Sequence, residues 1–327
     1  MANMNRIFSF IIYFIVVSVF FVGCSKEQGE KKYKIGIIMP KYGYEKVLEG
    51  LRTAVDKSSY KGRVEFIVKD FPTNREEFES AVKILQGLDI DLFYTITTPA
   101  TIATYEMIKN KPIIFAAVGD PVGVGLAESF KSPKKGITGV TNLSRELTDK
   151  RLEYFVKAFP KMKRILTFFN NENIYSILAV KDVENLSEKL KIKIEKVEVT
   201  STDELRTRLK DKTLKEVDGI FIIPDPIVMA VIDNIIGFAR ENKIPTCVHE
   251  ERFVLEKGAT ISYGVDLKDV GKISFIMIEH ALSGGAPENL PIFVPEKMNL
   301  YVNNRWAKEN GYVIPNEILY IADKVIE

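Results

Sequence analysis

Apolar and polar positions along this chain fall into two patterns that alternate at a regular spacing. Short apolar runs over 33–39, 64–68, 92–96, 112–118, 164–169, 194–199, 219–223, 244–248 and 259–263 read as buried strands. Between them, apolar residues recur at helical spacing over 47–55, 78–88, 102–108, 147–159, 174–190, 204–209, 228–241 and 270–282. Strand and helix alternating in this way predict right-handed βαβ units, hence parallel sheets with helices on both faces. The series runs from 33 to 142 and then restarts, which predicts two lobes of one architecture.

The stretch 92–142 carries the first candidate chemistry. Its strand 92–96 ends at Thr97-Thr98-Pro99-Ala100-Thr101, and its strand 112–118 ends at Gly119-Asp120-Pro121. Carboxyl ends of neighbouring parallel strands line a crevice in which ligands bind. Thr98 can cap a helix that begins at Pro99, and the N–H groups of that first turn suit an anion such as a carboxylate. Asp120 supplies the opposite sign, so the pair would suit a zwitterion such as an amino acid. Both features equally fit local roles, Thr98 as a plain N-cap and Asp120-Pro121 as a turn.

A family resemblance rests on five short motifs in order. They are Thr97-Thr98-Pro99-Ala100, then Phe115-Ala116-Ala117-Val118-Gly119-Asp120-Pro121 with Gly125-Leu126, Gly139-Val140-Thr141-Asn142, Ser262-Tyr263-Gly264-Val265-Asp266 and Leu300-Tyr301-Val302-Asn303. Together they resemble the ABC-transporter substrate-binding proteins of the tryptophan/tyrosine-binding type, which have the type I periplasmic-binding-protein fold. That fold implies α/β architecture with two similar Rossmann-like lobes joined by three hinge crossings, near Asn142, Gly264 and Met298. One lobe would hold 33–142 and 265–297, the other 143–264 and 298–327.

The resemblance also implies a ligand site between the lobes. Thr97, Thr98, Ala100, Thr101, Asp120 and Asn142 would lie on one side of it. The loop from Asn170 to Ser176 and Asp225 would lie on the other, with Asp225 or Asp266 as partner for an α-ammonium group. Pro226 stands where the relatives usually carry asparagine, and the loop after 33–39 lacks their histidine-proline pattern. Tyr42 and Tyr44 in that loop, with Phe169 and Tyr175, could stack on an aromatic ligand. His249-Glu250-Glu251 ends a further strand toward the same cleft.

The N-terminus is a separate unit. Arg6 precedes the apolar run 7–21, and Phe21-Val22-Gly23-Cys24 resembles the lipobox of bacterial lipoproteins. Residues 1–23 would then be a signal peptide, Cys24 the lipidated mature terminus, and 24–32 a polar tether. An uncleaved anchor is the alternative, but the run falls short of the roughly 20 residues that span a bilayer. The protein would sit outside the cytoplasmic membrane, on the periplasmic side or the cell surface.

Composition narrows the function further. With 327 residues, 46% of them hydrophobic, the chain can bury two cores, and a formal charge of +2 makes no case for nucleic acid. Cys247 lies in an apolar run and reads as a buried thiol. His249 and His280 are the two histidines, with no metal spacing between them, and HExxH, GxSxG and phosphate-loop motifs are absent. The expectation is a non-enzymatic binding protein without cofactor or metal, closing two lobes on a small ligand and docking on an ABC permease. A ligand-sensing subunit for a membrane kinase or chemoreceptor is the alternative, and a glycosidase-like acid pair among Asp120, Asp225 and Asp266 a remote one.

Overall fold

The computed structural model describes residues 31–41, 43–71 and 75–327. The expected signal peptide, Cys24, most of the tether and Tyr42 lie outside the described residues.

The chain begins with β1 (Tyr33–Pro40), α1 (Glu45–Asp56), β2 (Val64–Phe71), α2 (Arg75–Gln86), β3 (Leu92–Ile96), α3 (Thr98–Met107), β4 (Ile113–Val118) and β5 (Ile137–Thr141). These strands form one parallel sheet in the order β2-β1-β3-β4-β5. Helices cover both faces, so β3 and β4 are buried at every position and read as unbroken apolar runs.

The second series is α4 (Thr148–Ala158), β6 (Arg164–Phe169), α5 (Ile174–Leu190), β7 (Lys193–Glu198), α6 (Thr202–Arg208), β8 (Gly219–Phe221), α7 (Pro226–Ala230), α8 (Ile232–Glu241), β9 (Thr246–Val248), α9 (Glu251–Leu255) and β10 (Ile261–Val265). After it come α10 (Leu267–Leu282), β11 (Met298–Asn303), α11 (Asn304–Glu309), α12 (Asn316–Ile321) and β12 (Lys324–Ile326). The second sheet runs β12-β11-β10-β9-β8-β6-β7, with only β10 and β11 antiparallel. Its segment β7-β6-β8-β9-β10 repeats the strand order of the first sheet. In such sheets the crevice opens where the order reverses, between β1 and β3 in one lobe and between β6 and β8 in the other.

The chain passes between the sheets after β5, after β10 and before β11. Helix α10 lies on the first lobe, where Val270, Met277 and Ile278 share a core with Val47 and Leu51 of α1. The two helices meet at glycines. A Cβ on Gly50 would overlap the Lys268 carbonyl oxygen, and one on Gly271 would overlap that of Val47. At the crossings, the fully buried Arg151 donates from Nε to the Tyr263 carbonyl at 2.9 Å and from both Nη atoms to the Ser144 carbonyl at 3.2 Å. One guanidinium thus ties two crossing segments together.

Several elements differ from the sequence expectation. The helix over 228–241 is two, broken at Val231, whose φ of −123° leaves the helical region. Helix α3 begins at Thr98, one residue before the start expected at Pro99, and the proline fits its first turn. Strands β5, β11 and β12 and helices α9, α11 and α12 were not anticipated. Strand β5 carries Gly139, placed where a Cβ would overlap the Phe115 carbonyl, and β12 is a short, partly exposed edge.

Candidate functional site

Because both lobes share one strand order, their two switch points face each other across a cleft of about 1420 Å³. The first lobe contributes the segments after β1, β3 and β4. The second contributes those after β6, β8 and β9.

After β3 the backbone is strained. Thr97 has φ 87° and ψ 157°, a region nearly reserved for glycine, and Ala117 beside it has φ 54° at a register shift in β4. Thr97 occupies the cap position of α3, correcting the expectation that Thr98 would hold it. Thr97 makes no side-chain cap, and its buried Oγ1 has no partner. Thr98 is the first helical residue and lines the cleft. Its N–H and that of Ala100 precede the first intrahelical bond, from Thr101 N to Thr97 O. The side chains of Ala100 and Thr101 are fully buried away from the cleft. Thr101 Oγ1 donates to the Thr97 carbonyl at 2.8 Å and lies 2.9 Å from Thr95 Oγ1, which steadies the strained turn from below.

After β4, Asp120 lines the cleft with both carboxylate oxygens engaged. Oδ1 accepts from Gly123 N at 2.8 Å and Oδ2 from Arg145 Nη1 at 3.2 Å, while Arg145 Nε donates to Asp182 Oδ2 at 2.9 Å. Asn142 also lines the cleft and turns its Oδ1 to Ser144 N at 3.2 Å.

In the second lobe, Asn170 and Tyr175 reach the cleft, and Phe169 and Ser176 do not. Phe169 packs in the core among Leu152, Phe155 and Val183. Asp225 touches the cleft wall yet is fully buried, and its oxygens are saturated. Oδ1 accepts from Ile227 N at 2.7 Å and Val228 N at 3.0 Å, while Oδ2 accepts from Asn170 N at 2.9 Å and from Ser176 Oγ. It caps α7 and fixes the Asn170–Ser176 loop, and no oxygen is left for an ammonium group. Asp266 is not in the cleft. It caps α10 at the crossing, accepting from Lys268 N at 2.9 Å and Asp269 N at 3.2 Å, and pairs with Lys297 at 3.2 Å. Burial opposes its charge, but Lys297 and the cap hold its carboxyl below the usual range.

Two tyrosines cross the cleft in opposite directions. Tyr44 of the first lobe donates its hydroxyl to Glu250 Oε1 at 2.9 Å, and Tyr175 of the second donates to the Asp120 carbonyl at 2.9 Å. Burial, then the neighbouring carboxylate, pushes each phenol well above its ordinary pKa, so both remain donors. Lys46 pairs with Glu251 across the same edge.

The charged run His249-Glu250-Glu251-Arg252 was legible only as a strand end. Its ionic network, and the place of Arg145, were not. Glu250 accepts from Tyr44, from His249 Nε2 at 3.3 Å and from Arg252 Nε at 2.5 Å. Burial works to raise its carboxyl, yet Arg252 and His249 outweigh it and leave the group at about 2. Burial depresses His249 below its ordinary value, so the imidazole is neutral and its Nε2 carries the proton given to Glu250.

Among the described residues no group of three metal-ligating side chains is assembled, and no helix is long and apolar enough to cross a membrane.

Comparison with known proteins identifies similar sequences and similar structures. A tyrosine-binding protein of Clostridioides difficile (strain R20291) is 24% identical over 328 residues, covering 94% of this chain and 93% of its own length. An ABC domain in complex with L-Trp from Streptococcus pneumonia superposes with a TM-score of 0.82 at 24% identity, covering 90% of this chain and 100% of that one. The ligand-free, open structure of a substrate-binding protein with adhesive properties from Clostridium difficile gives 0.69 at 22% identity, covering 90% and 99%. The two-lobed arrangement is that of the type I periplasmic binding proteins. The family model for ABC transporter substrate binding proteins matches residues 34–326, almost the whole described chain. The protein therefore belongs to the ABC transporter substrate-binding family, whose members bind small solutes outside the cytoplasm without converting them.

Proposed function

We propose that this protein is the lipid-anchored binding component of an ABC importer and closes its two lobes on an aromatic amino acid. The observation that carries the reading is the pair of facing switch points. They set a helix start at Thr98 and an acid at Asp120 beside the rings of Tyr44 and Tyr175, all on one cleft. A helix start suits a carboxylate, an acid suits an ammonium group, and ring faces suit an aromatic side chain. Asn142 and Asn170 line the same cleft and are the polar contacts that would fix orientation. The relatives described as binding tyrosine or holding L-Trp support the same ligand class. The apolar run ending at Cys24 supports a lipid anchor that would keep the closed form near its permease.

The test is a thermal-shift panel on the purified chain, stripped of carried ligand by unfolding and refolding. Amino acids, sugars, nucleosides and short peptides are compared. A ligand at 100 times its dissociation constant adds about 2.7 kcal/mol, enough to raise the melting point by several degrees. Shifts confined to tyrosine, tryptophan or phenylalanine are expected. A shift produced only by sugars, nucleosides or peptides would overturn the ligand class.

A further inference from the structure

Arg252 follows β9 on the second-lobe wall of the cleft. Its guanidinium is held on several sides. Nε donates to Glu250 Oε2 at 2.5 Å, the Phe253 ring centre lies 4.1 Å from Cζ, and the Tyr44 ring centre of the opposite lobe lies 5.7 Å away. Gly43 of the first lobe closes directly over it. Any side chain at that position would overlap Cζ, Nε and Nη1, and the backbone there has φ 92°. The group is nevertheless not used up. The Arg252 side chain keeps 21% of its surface, and among the described residues neither Nη atom makes a hydrogen bond.

Glu250 is in the opposite condition. It is 4% exposed, and three donors converge on its two oxygens. It therefore serves to orient Arg252 and not to receive a cation. The local charge is not balanced by this pair alone. Arg151 is fully buried, bonds only to carbonyls, and is close enough to act on both Glu250 and His249. Lys46 and Glu251 cancel each other beside them. Glu256, on the same cleft, also acts on the Arg252 guanidinium, so two guanidinium groups face two carboxylates here, and it is the unused Nη donors, not an excess of charge, that suit an anion. A guanidinium with Nε fixed by a carboxylate and two Nη donors free is set for two-point recognition of a second carboxylate.

We propose that Arg252 binds the carboxylate of the ligand through its two Nη donors, with Glu250 as the positioning residue that fixes the guanidinium. The proposal rests on the reading of the cleft as an amino-acid site, and it moves the anion contact from the α3 start in the first lobe to the second lobe.

The test compares acid and amide. Calorimetric titration of the full chain with L-tyrosine and L-tyrosinamide, and with L-tryptophan and L-tryptophanamide, measures the preference for a carboxylate. Wild type should favour the acid by about 100-fold, the scale of a truncated charge pair in a desolvated site. Arg252→Met should lose that preference almost wholly, by weakening the acid and sparing the amide. Arg252→Lys keeps the charge and the stem, so it guards against misfolding, and it should reduce the preference about tenfold by losing two-point geometry. Glu250→Gln should reduce it as well, by less than Arg252→Met does. An acid-to-amide ratio unchanged in Arg252→Met or, should that variant not fold, in Arg252→Lys overturns the proposal and returns the anion to Thr98. If wild type binds neither amino acid, the amino-acid reading itself falls, and the proposal with it.

Discussion

Asp225→Ala separates an acid that builds the site from one that touches ligand. The side chain is fully buried, and four donors point at it: Ile227 N, Val228 N, Asn170 N and Ser176 Oγ. Loss of the cap on α7 costs about 1 kcal/mol. Leaving the Asn170 N–H and the Ser176 hydroxyl without a charged acceptor costs about 1–3 kcal/mol each, the hydroxyl less because it can rotate. The sum is about 4 kcal/mol, which corresponds to a fall of roughly 10 °C in melting temperature for a chain of this size. Affinity should fall only about tenfold, through displacement of the Asn170–Ser176 loop. Asp225→Asn keeps the cap but turns its amide N–H₂ toward Asn170 N–H, so about half of the stability loss should remain. Melting curves and ligand titration on the same samples decide the matter. A variant that melts within about 2 °C of wild type yet binds more than about 100-fold more weakly would show an acid in direct contact with ligand, refuting the structural role.

Three further outcomes can be checked. Gly271→Ala puts a methyl group into the Val47 carbonyl, so α1 and α10 must separate at a cost of about 3 kcal/mol, read as a lower urea midpoint; an unchanged midpoint would mean that the helices do not meet there. The Glu250 carboxyl lies at about 2 in the folded chain and about 4.3 unfolded, so the roughly 3 kcal/mol it contributes is present at neutral pH and is lost as pH falls from about 4 to 2. The stability gap between wild type and Glu250→Gln should therefore narrow between pH 5 and 2, and parallel curves would count against the network. Tyr44→Phe with Tyr175→Phe removes both hydroxyl bridges between the lobes, about 1 kcal/mol each, and should favour opening about 30-fold; small-angle scattering of the ligand-free chain should then report a larger radius of gyration, and an unchanged radius would deny the bridges any role in closure.

The lobes were legible because parallel strands covered on both faces leave a mark that survives without tertiary information. Every residue of β3, Leu92–Ile96, is apolar or buried threonine, and the same holds along β4. The break at Val231 left no such mark. Val228, Ile232, Ile235 and Ile236 all face one core, so apolar spacing continues straight through a place where only the backbone angles change. Strand β5 was invisible for a related reason: Gly139 is there to let the backbone of Phe115 approach, and a glycine at the centre of a five-residue strand, between Thr138 and Val140, interrupts the apolar run.

The site was legible by position and illegible by satisfaction. The rule that ligands gather at the carboxyl ends of parallel strands places Asp120, Asn142, Asn170 and Tyr175 on the cleft. It does not distinguish Asp120 from Asp225, because both are acids before proline at a strand end. The difference lies in where their donors come from. Asp225 is saturated by its own lobe, whereas Asp120 is met by Arg145 beyond the first crossing, and its carbonyl by Tyr175. The run His249-Glu250-Glu251-Arg252 shows the same limit more sharply. Its first three residues were legible as a strand end toward the cleft, but nothing in four polar residues in a row signals burial, and here they are largely buried because the opposite lobe brings Gly43, Tyr44 and Lys46 against them. Their burial is a property of lobe against lobe. A pattern that records only how each residue faces its own sheet cannot contain it, and residues that recognise a ligand between two lobes belong to that class.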